Sequence, residues 1–297
     1  MTDKHSPAVP LVLAFGNLAN AVRDEKSETH RFGVREHKLH EYLRSSGYDV
    51  FAASELRSCQ SRDRSRIMSP VSIAERMARE GGLGLVDARP NNLDGMCFWR
   101  ATLCSSRVVP LRSECRWAIP PVVGSTAVSD RGVMLLFTQF RAGHHTFWVI
   151  NSHMPWASVD KLKTVDWLNQ HAEAACLEWG DSDPVILYGG DQNTWPAQDS
   201  KEMMAKFATG WVHLSSNVKR TWSPYPHDVL QDPTDVTDLL DHIFVNARAC
   251  SRIRLVEPAV AVDTGTSDHY FCLLKSYLSI LVSLDEQAAS GTLVSAW

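Results

Sequence analysis

The sequence contains no hydrophobic run long enough to cross a membrane, because no apolar stretch approaches the roughly 18 residues that a spanning helix needs. Its first twenty residues also lack a basic segment followed by a long apolar core, since Pro10 and the pair Gly16-Asn17 interrupt the apolar stretch. We therefore expect neither a membrane span nor a secretion signal. The expected location is intracellular, in the cytoplasm or the nucleus.

Cysteine and net charge are also low. The seven cysteines of the 297 residues are scattered, odd in number and never spaced as C-x-x-C, which argues against a disulfide framework and a zinc finger. The 30 basic and 34 acidic residues give a formal charge of −4. Bulk positive charge therefore cannot be what would hold this chain on a nucleic acid, although a local basic patch is compatible with the composition.

The remaining composition is that of a globular protein, with 44% hydrophobic and 22% charged residues. Short apolar runs alternate with amphipathic stretches, and Ser69-Pro70 and Gly81-Gly82 have the residue types that begin and end a helix. The pattern predicts a layered α/β protein. We expect a single domain over residues 1–284 and a loose C-terminal tail over 285–297. The runs that predict strands are 11–15, 50–53, 96–103, 133–140, 146–152, 185–188, 240–246, 253–259 and 270–277, and helices are predicted over 34–46, 70–81 and 158–178, the last capped by Ser158.

Polar residues able to bind a metal or a phosphate recur at the ends of these predicted strands. A single such residue is more often a turn former or exposed to solvent, but side chains at strand ends meet at the sites of α/β proteins. Their recurrence therefore predicts a functional site. The residues are Asn17, Glu55, His153, Asp191, Asn193, Asp241, Asp268 and His269.

In this order, the segments FGNL, SEL, NSHM, GGDQN, LLDHIF and TSDHY resemble the endonuclease/exonuclease/phosphatase superfamily, whose fold is DNase I-like. The resemblance covers about residues 11–280. It implies a four-layer α/β sandwich, in which two packed mixed β-sheets are flanked by helices. Three positions depart from the family pattern: Ser54 stands where glutamine usually precedes the glutamate, Gln192 replaces a phenylalanine, and Lys161 replaces an arginine.

The resemblance also implies roles for the residues at the strand ends. Hydrolysis of a phosphate ester needs an activated water, a cation and a proton for the leaving oxygen. We expect Glu55 to be the main Mg²⁺ ligand, with Asn17 beside it, and Mn²⁺ to substitute. Asp191 would position the attacking water and Asn193 would donate to the phosphate. Asp241 would pair with His269, Asp268 would bind the metal or support that pair, and His153 would bind the phosphate or protonate the leaving group.

The substrate is less well defined by the sequence. The segment after Glu55 carries Arg57 and three further arginines, and Trp156, Trp195 and Trp222 each lie beside a motif. A basic loop can contact flanking phosphates and tryptophans can stack on unpaired bases, so we expect a nuclease or phosphodiesterase acting on DNA or RNA. The alternatives are a phosphatase acting on a lipid, an inositol phosphate or another small molecule, and a non-catalytic binding module, which the full residue set disfavours. The sequence indicates no obligate protein partner.

Overall fold

Two β-sheets face each other in the computed structural model, which describes residues 8–18, 32–56, 59–60, 67–90, 99–122, 125, 132–155, 157–194, 197–218, 221, 240–262 and 271–278. The helices are α1 (Phe32–Ser46), α2 (Pro70–Gly81), α3 (Ser158–Glu178) and α4 (Ala197–Phe207), with a short 3-10 helix over Ala247–Arg252. Within this part of the chain, no helix is both long and apolar enough to span a membrane.

The strands are β1 (Val9–Asn17), β2 (Val50–Leu56), β3 (Cys59–Gln60), β4 (Ile67–Met68), β5 (Gly84–Pro90), β6 (Trp99–Cys104), β7 (Val109–Ile119), β8 (Val133–Ala142), β9 (His145–His153), β10 (Ile186–Asp191), β11 (Trp211–His213), β12 (Asp241–Asn246), β13 (Ile253–Leu255), β14 (Val260–Val262) and β15 (Phe271–Leu278). The first sheet has the order β13-β15-β1-β2-β6-β5, with β14 also paired to β15, and the second has the order β11-β12-β10-β9-β8-β7. Each sheet is mixed, because β1 pairs parallel to β2 and β9 pairs parallel to β10 while their other neighbours are antiparallel.

Alternation along the strands divides the core into three layers of apolar side chains. Leu13 and Phe15 of β1 point into the layer between the sheets, where they meet Val149 and Leu187 of the second sheet. Ala14 points the other way, into a layer under α1 and α2. A third layer lies between the second sheet and the pair α3 and α4. Successive side chains of a strand point to opposite faces, so both sheets are buried on both sides. The expected four-layer α/β sandwich is confirmed.

The predicted ends of α2 are confirmed in detail. The Ser69 hydroxyl accepts a hydrogen bond from the backbone N–H of Ser72, Pro70 occupies the first turn, and Gly82 adopts the left-handed conformation after the last turn. The predicted cap of α3 is wrong by one residue. Ala157 occupies the cap position and makes no side-chain cap bond, and Ser158 is already the first helical residue.

The sequence pattern did not predict strands β5 and β7 or helix α4. Strand β7 carries Arg112, Glu114 and Arg116 on an edge that is exposed or half-buried, so its sequence lacks the apolar run that marks a central strand. Its extended conformation depends on pairing with β8 over its whole length. Edge strands of this kind are determined by their partner more than by their own residues.

Candidate active site

The ends of five strands from both sheets meet at one edge of the sandwich. Asn17 is the last residue of β1 and pairs with Ser54 of β2 in the first sheet. In the second sheet, Asp191 at the end of β10 lies opposite both His153, the last residue of β9, and Asp241, the first residue of β12. Because β9 and β10 are parallel, their carboxyl ends coincide, and the antiparallel β12 begins there. The predicted clustering of polar strand ends is therefore present.

Glu55 reaches this cluster through an irregularity in β2. Ala53 and Leu56 both pack in the layer under α1 and α2, although they are three positions apart, and the pairing with β6 shifts between them. One residue is thus inserted between them, and Glu55 takes a positive φ of 58°. A bulge of this kind re-aims a side chain. It turns Glu55 away from the helices and towards the second sheet.

Side chains from the two sheets are in direct contact across the site. The Asn17 Nδ2 donates to Asp191 Oδ2 at 2.8 Å. The His153 Nε2 lies 3.2 Å from Glu55 Oε1 and 3.5 Å from Asp191 Oδ2. One ligand atom from each of Glu55, His153 and Asp191 lies within 4.8 Å of the others, a spacing that one metal ion could bridge. The two carboxylates therefore share one compact centre.

The electrostatics of this centre require a positive charge. Burial by itself lowers the pKa of His153, but the hydrogen bonds and charges of Asp191 and Glu55 outweigh burial and raise that pKa to about 10. The imidazolium therefore offsets one of the two carboxylate charges when no other cation is bound. A metal ion bound to the same carboxylates would supply that charge instead and would favour the neutral imidazole.

The donor set fits a hard divalent cation. Glu55 and Asp191 offer carboxylate oxygens and Asn17 offers an amide oxygen, which are the ligands that Mg²⁺ prefers. Mn²⁺ accepts the same carboxylate and carbonyl oxygens. The chemistry of the residues therefore agrees with the divalent cation expected from the sequence.

The turn after Asp191 is held by several hydrogen bonds. The backbone N–H of Asn193 donates to Asp191 Oδ1 at 2.7 Å, and its side-chain amide donates to the Met154 carbonyl at 2.5 Å. The buried ammonium of Lys161 on α3 donates to the Asn193 carbonyl. Asn193 itself has a positive φ of 47°. An aspartate that accepts from the N–H two residues on stabilises such a turn. Asn193 therefore stands at a fixed position beside the centre.

Asp241 lies at the floor of the site, fully buried. The Thr221 hydroxyl accepts hydrogen bonds from the backbone N–H groups of Leu240 and Asp241, at 2.9 and 2.8 Å. The next residue, His242, points to the opposite face of β12, as the alternation predicts. There its Nδ1 lies 3.0 Å from His213 Nε2 and its Nε2 lies 3.4 Å from Thr194 Oγ1. His242 therefore belongs to the layer under the helices and not to the centre.

The structure brings together six of the residues singled out by sequence: Asn17, Glu55, His153, Asp191, Asn193 and Asp241. The other six lie outside the described residues: Arg57, Trp156, Trp195, Trp222, Asp268 and His269. The sequence pattern did not single out Thr221, Ser152 or Tyr188. Tyr188 lies four residues before Gln192, and Ser152 precedes His153, but only the fold shows that these side chains meet.

Known proteins resemble this chain in structure. No protein-family profile and no curated protein sequence matches it. An endonuclease/exonuclease/phosphatase family protein from Bacteroides thetaiotaomicron superposes with a TM-score of 0.65 at 15% identity, covering 92% of this chain and 100% of that one. The mannosyl-6-phosphatase of Bacteroides thetaiotaomicron VPI-5482 gives 0.64 at 15% identity, covering 90% and 99%. D. rerio TDP2, complexed with a single-strand DNA product, gives 0.59 at 17% identity, covering 90% and 98%. At these identities the likeness establishes the fold.

Proposed function

We propose that this chain, whose fold is the DNase I-like fold of the endonuclease/exonuclease/phosphatase superfamily, is a divalent-metal-dependent phosphoesterase. The observation that carries the proposal is the convergence of Asn17, Glu55, His153 and Asp191 from two sheets onto one centre, with Glu55, His153 and Asp191 within 4.8 Å of one another. Two carboxylates so close together, that of Asp191 buried and that of Glu55 half-buried, are costly unless a cation lies beside them, and active sites are where such costs are maintained.

In this proposal Glu55 and Asn17 would hold a divalent cation, Asp268 would bind it or support the pair of Asp241 and His269, and such a cation would offset the charge that develops on the phosphate. Asp191 orients the attacking water. Its carboxylate is well fixed for this purpose, because Oδ1 accepts from the Asn193 N–H and Oδ2 accepts from Asn17. Asn193 contacts the phosphate through its side-chain amide. His153 binds the phosphate or gives a proton to the leaving oxygen, and Asp241 pairs with His269.

For the substrate we propose a phosphodiester of a nucleic acid. The similar TDP2 was solved with a single-strand DNA product, and Arg57, Trp156, Trp195 and Trp222 would supply phosphate contacts and stacking surfaces. The second candidate is a small phosphorylated molecule, favoured by the comparable likeness to the mannosyl-6-phosphatase. Among the described residues of the centre, none distinguishes a diester from a monoester, so we assign the choice to the substrate-binding residues.

One panel of substrates with Mg²⁺ tests both candidates. It contains single- and double-stranded DNA, RNA, bis(p-nitrophenyl) phosphate, p-nitrophenyl phosphate, a sugar phosphate and inositol phosphates. We expect cleavage of nucleic acid and of the simple diester, and loss of cleavage in EDTA. Exclusive hydrolysis of monoesters would favour the second candidate. Undiminished activity after complete removal of divalent cations would contradict the metal-dependent proposal itself.

Matched variants test the centre. Glu55→Gln and Asp191→Asn preserve size and remove one charge each, and we expect each to lower kcat by about 10²-fold or more. Glu202→Gln, on the exposed face of α4, makes the same chemical change away from the site and should leave kcat unchanged. Wild-type rates in Glu55→Gln would overturn the assignment of the metal ligand.

A further inference from the structure

A closed ring of hydrogen bonds lies directly behind the candidate active site. The Ser152 hydroxyl donates to the Tyr188 oxygen at 2.9 Å, and the Tyr188 hydroxyl donates to Gln192 Oε1 at 2.5 Å. The Gln192 Nε2 closes the ring on Ser152 Oγ at 3.3 Å and also donates to the Gly190 carbonyl at 3.0 Å. All three side chains are at most 1% exposed. We call this set the Ser152–Tyr188–Gln192 ring.

The direction of every hydrogen bond in the ring follows from one backbone group. The Gly190 carbonyl can only accept, so the amide group of Gln192 that faces it must be the NH₂. The Gln192 oxygen is then the acceptor facing Tyr188, and the Tyr188 proton must point towards it. The Tyr188 oxygen therefore accepts from Ser152. Every polar hydrogen of the three side chains has a partner, which makes the ring rigid and fully satisfied.

The ring ties together the backbone on which two site residues stand. Ser152 immediately precedes His153, the last residue of β9, and Gln192 immediately follows Asp191, the last residue of β10. Ser152 and Gln192 point away from the centre, while His153 and Asp191 point into it, with 3.5 Å between His153 Nε2 and Asp191 Oδ2. The hydrogen bonds of the ring, on one side of the second sheet, therefore fix the distance between His153 and Asp191 on its other side. The Met154 N–H, which donates to the Asp191 carbonyl at 2.8 Å, adds a second tie.

Gln192 also stands between Asp191 and the unusual backbone of Asn193. Its own N–H donates to the Leu240 carbonyl at 2.7 Å, which links the turn to the residue before Asp241. With its side chain held in the ring and its backbone held by Leu240, Gln192 cannot rotate without breaking several hydrogen bonds. This restraint keeps Asn193 at a φ of 47°, a conformation that a free asparagine adopts only as a minor state.

From this arrangement we propose that Gln192 and Tyr188 are positioning residues for the reaction of this site, acting through His153 and through the Asp191–Asn193 turn. The proposal rests on the proposed phosphoesterase function for its kinetic consequence. Its structural content, that the ring sets the orientation of the His153 imidazole, stands independently of any substrate. Groups that orient metal ligands and reacting side chains typically contribute 10- to 100-fold to activity.

Tyr188→Phe is the most informative variant. The aromatic side chain of Tyr188 packs among Phe207, Trp211 and Phe244, and phenylalanine preserves that packing while it removes the hydroxyl. Tyr48→Phe is the matched control. The Tyr48 hydroxyl is buried and hydrogen bonded to Tyr42, but Tyr48 precedes β2 at the end of the strand remote from Glu55. Both substitutions delete one buried hydroxyl from an aromatic side chain that is packed against other aromatic rings. Only the Tyr188 hydroxyl belongs to the Ser152–Tyr188–Gln192 ring.

The first measurement is steady-state hydrolysis of bis(p-nitrophenyl) phosphate with Mg²⁺. We expect Tyr188→Phe and Gln192→Met each to lower kcat by 10-fold or more, with KM changed by less than about threefold. The double variant should lose little more than either single variant, because both break the same ring. If Tyr188→Phe or Gln192→Met folds poorly, Ser152→Ala breaks the same ring with a smaller change. Wild-type kcat in Tyr188→Phe, or an equal loss in Tyr48→Phe, would overturn the proposal.

The second measurement needs no activity. The ¹³Cε1 signal of His153, assigned by its loss in His153→Gln, is recorded in the metal-free protein at one fixed pH. We expect it to shift or broaden in Tyr188→Phe and to remain as in the wild type in Tyr48→Phe. An unchanged His153 signal in Tyr188→Phe would refute the ring's positioning role. If the wild-type protein cleaves no phosphate ester, the proposed function fails, and this signal still decides whether the ring positions His153.

Discussion

At the scale of single residues, the centre keeps Glu55 in a conformation that costs stability. A left-handed backbone costs a non-glycine residue roughly 1–2 kcal/mol, and Glu55 has a φ of 58°. Its carboxylate is also close to that of Asp191, with His153 Nε2 between them at 3.2 and 3.5 Å. Strain of this kind persists when the surrounding structure enforces it, and here the enforced result is a carboxylate aimed at the centre.

A comparison of two substitutions isolates the backbone strain. Glu55→Ala and Glu55→Gly both remove the carboxylate and should both abolish metal-dependent activity. Glycine adopts a positive φ without penalty, so we expect Glu55→Gly to be more stable than Glu55→Ala by about 1 kcal/mol in the free energy of unfolding. Urea denaturation in EDTA measures the difference. An alanine variant as stable as the glycine variant would show that this backbone is not strained.

The pKa of His153 predicts how stability depends on pH in the metal-free protein. Its pKa is raised to about 10 in the folded state, above the value of about 6.5 expected in the unfolded chain. The unfolded state therefore releases its proton first as the pH rises. The contribution of protonated His153 to the free energy of unfolding is therefore complete below pH 6.5. It is lost as the pH rises from there through 10, at up to about 1.4 kcal/mol per pH unit.

We therefore expect wild-type protein in EDTA to lose stability between pH 7 and pH 10 more steeply than His153→Gln, measured by urea denaturation at a series of pH values. Saturating Mg²⁺ should flatten the wild-type curve, because the bound cation replaces the imidazolium as the partner of the carboxylates. Parallel curves for wild type and His153→Gln in EDTA would contradict the raised pKa.

At the scale of elements, the approach of β9 to β10 sets the geometry of the site. Gly190 of β10 has a φ of 123°, and a Cβ built there would lie 2.1 Å from the Ser152 carbonyl oxygen. Any side chain at this position would push β10 away from β9. The displaced strands are the ones that carry Asp191 and His153 at their ends. The glycine therefore permits the strand spacing on which the centre and the Ser152–Tyr188–Gln192 ring depend.

Gly190→Ala should separate these strands, and Gly180→Ala is its control. Gly180 also has a positive φ, of 90°, but a Cβ there would meet nothing within 4 Å. Both variants carry the backbone penalty, and only Gly190→Ala adds the steric one. We expect Gly190→Ala to be less stable by a further 1–3 kcal/mol or so, measured by urea denaturation, and to lose activity. Equal destabilisation by the two substitutions would show that β10 can move away from β9 without a loss of stability.

At the scale of the whole molecule, the centre joins the two halves of the sandwich. Asn17 and Glu55 come from the first sheet, and His153 and Asp191 come from the second. A cation held by Glu55 and Asn17, beside His153 and Asp191 of the second sheet, would bind only the folded protein, because the unfolded chain has no such site. Binding should therefore stabilise the entire fold, by about 2.7 kcal/mol when the free cation is at 100 times its Kd.

Thermal unfolding measures this effect without any substrate. We expect Mg²⁺ or Mn²⁺ to raise the Tm of the wild type by several degrees in a concentration-dependent manner, and Glu55→Gln to show almost no increase. Glu202→Gln should respond like the wild type. A Tm that is independent of both cations in the wild type would argue against a metal bound between the sheets.

The sequence by itself determined which residues could form the centre, because the relevant signals are local. A strand that ends in a polar residue, as β9 ends at His153 and β10 at Asp191, shows in a few consecutive letters. The ends of α2 are equally local, since Ser69 and Gly82 satisfy backbone groups of the adjacent turns. The order of these local motifs along the chain carries the resemblance to the endonuclease/exonuclease/phosphatase superfamily, and that resemblance implied the sandwich.

Only the tertiary structure decided features that depend on contacts between distant segments. By simple alternation Glu55 would face the helices with Ala53, and the bulge that redirects it shows only in the pairing of β2 with β6. Strand β7 is extended because β8 pairs with it, and the Ser152–Tyr188–Gln192 ring exists because β9 lies beside β10. Such pairings join residues tens of positions apart, and their energy arises only when the chain has folded, so no local pattern encodes them.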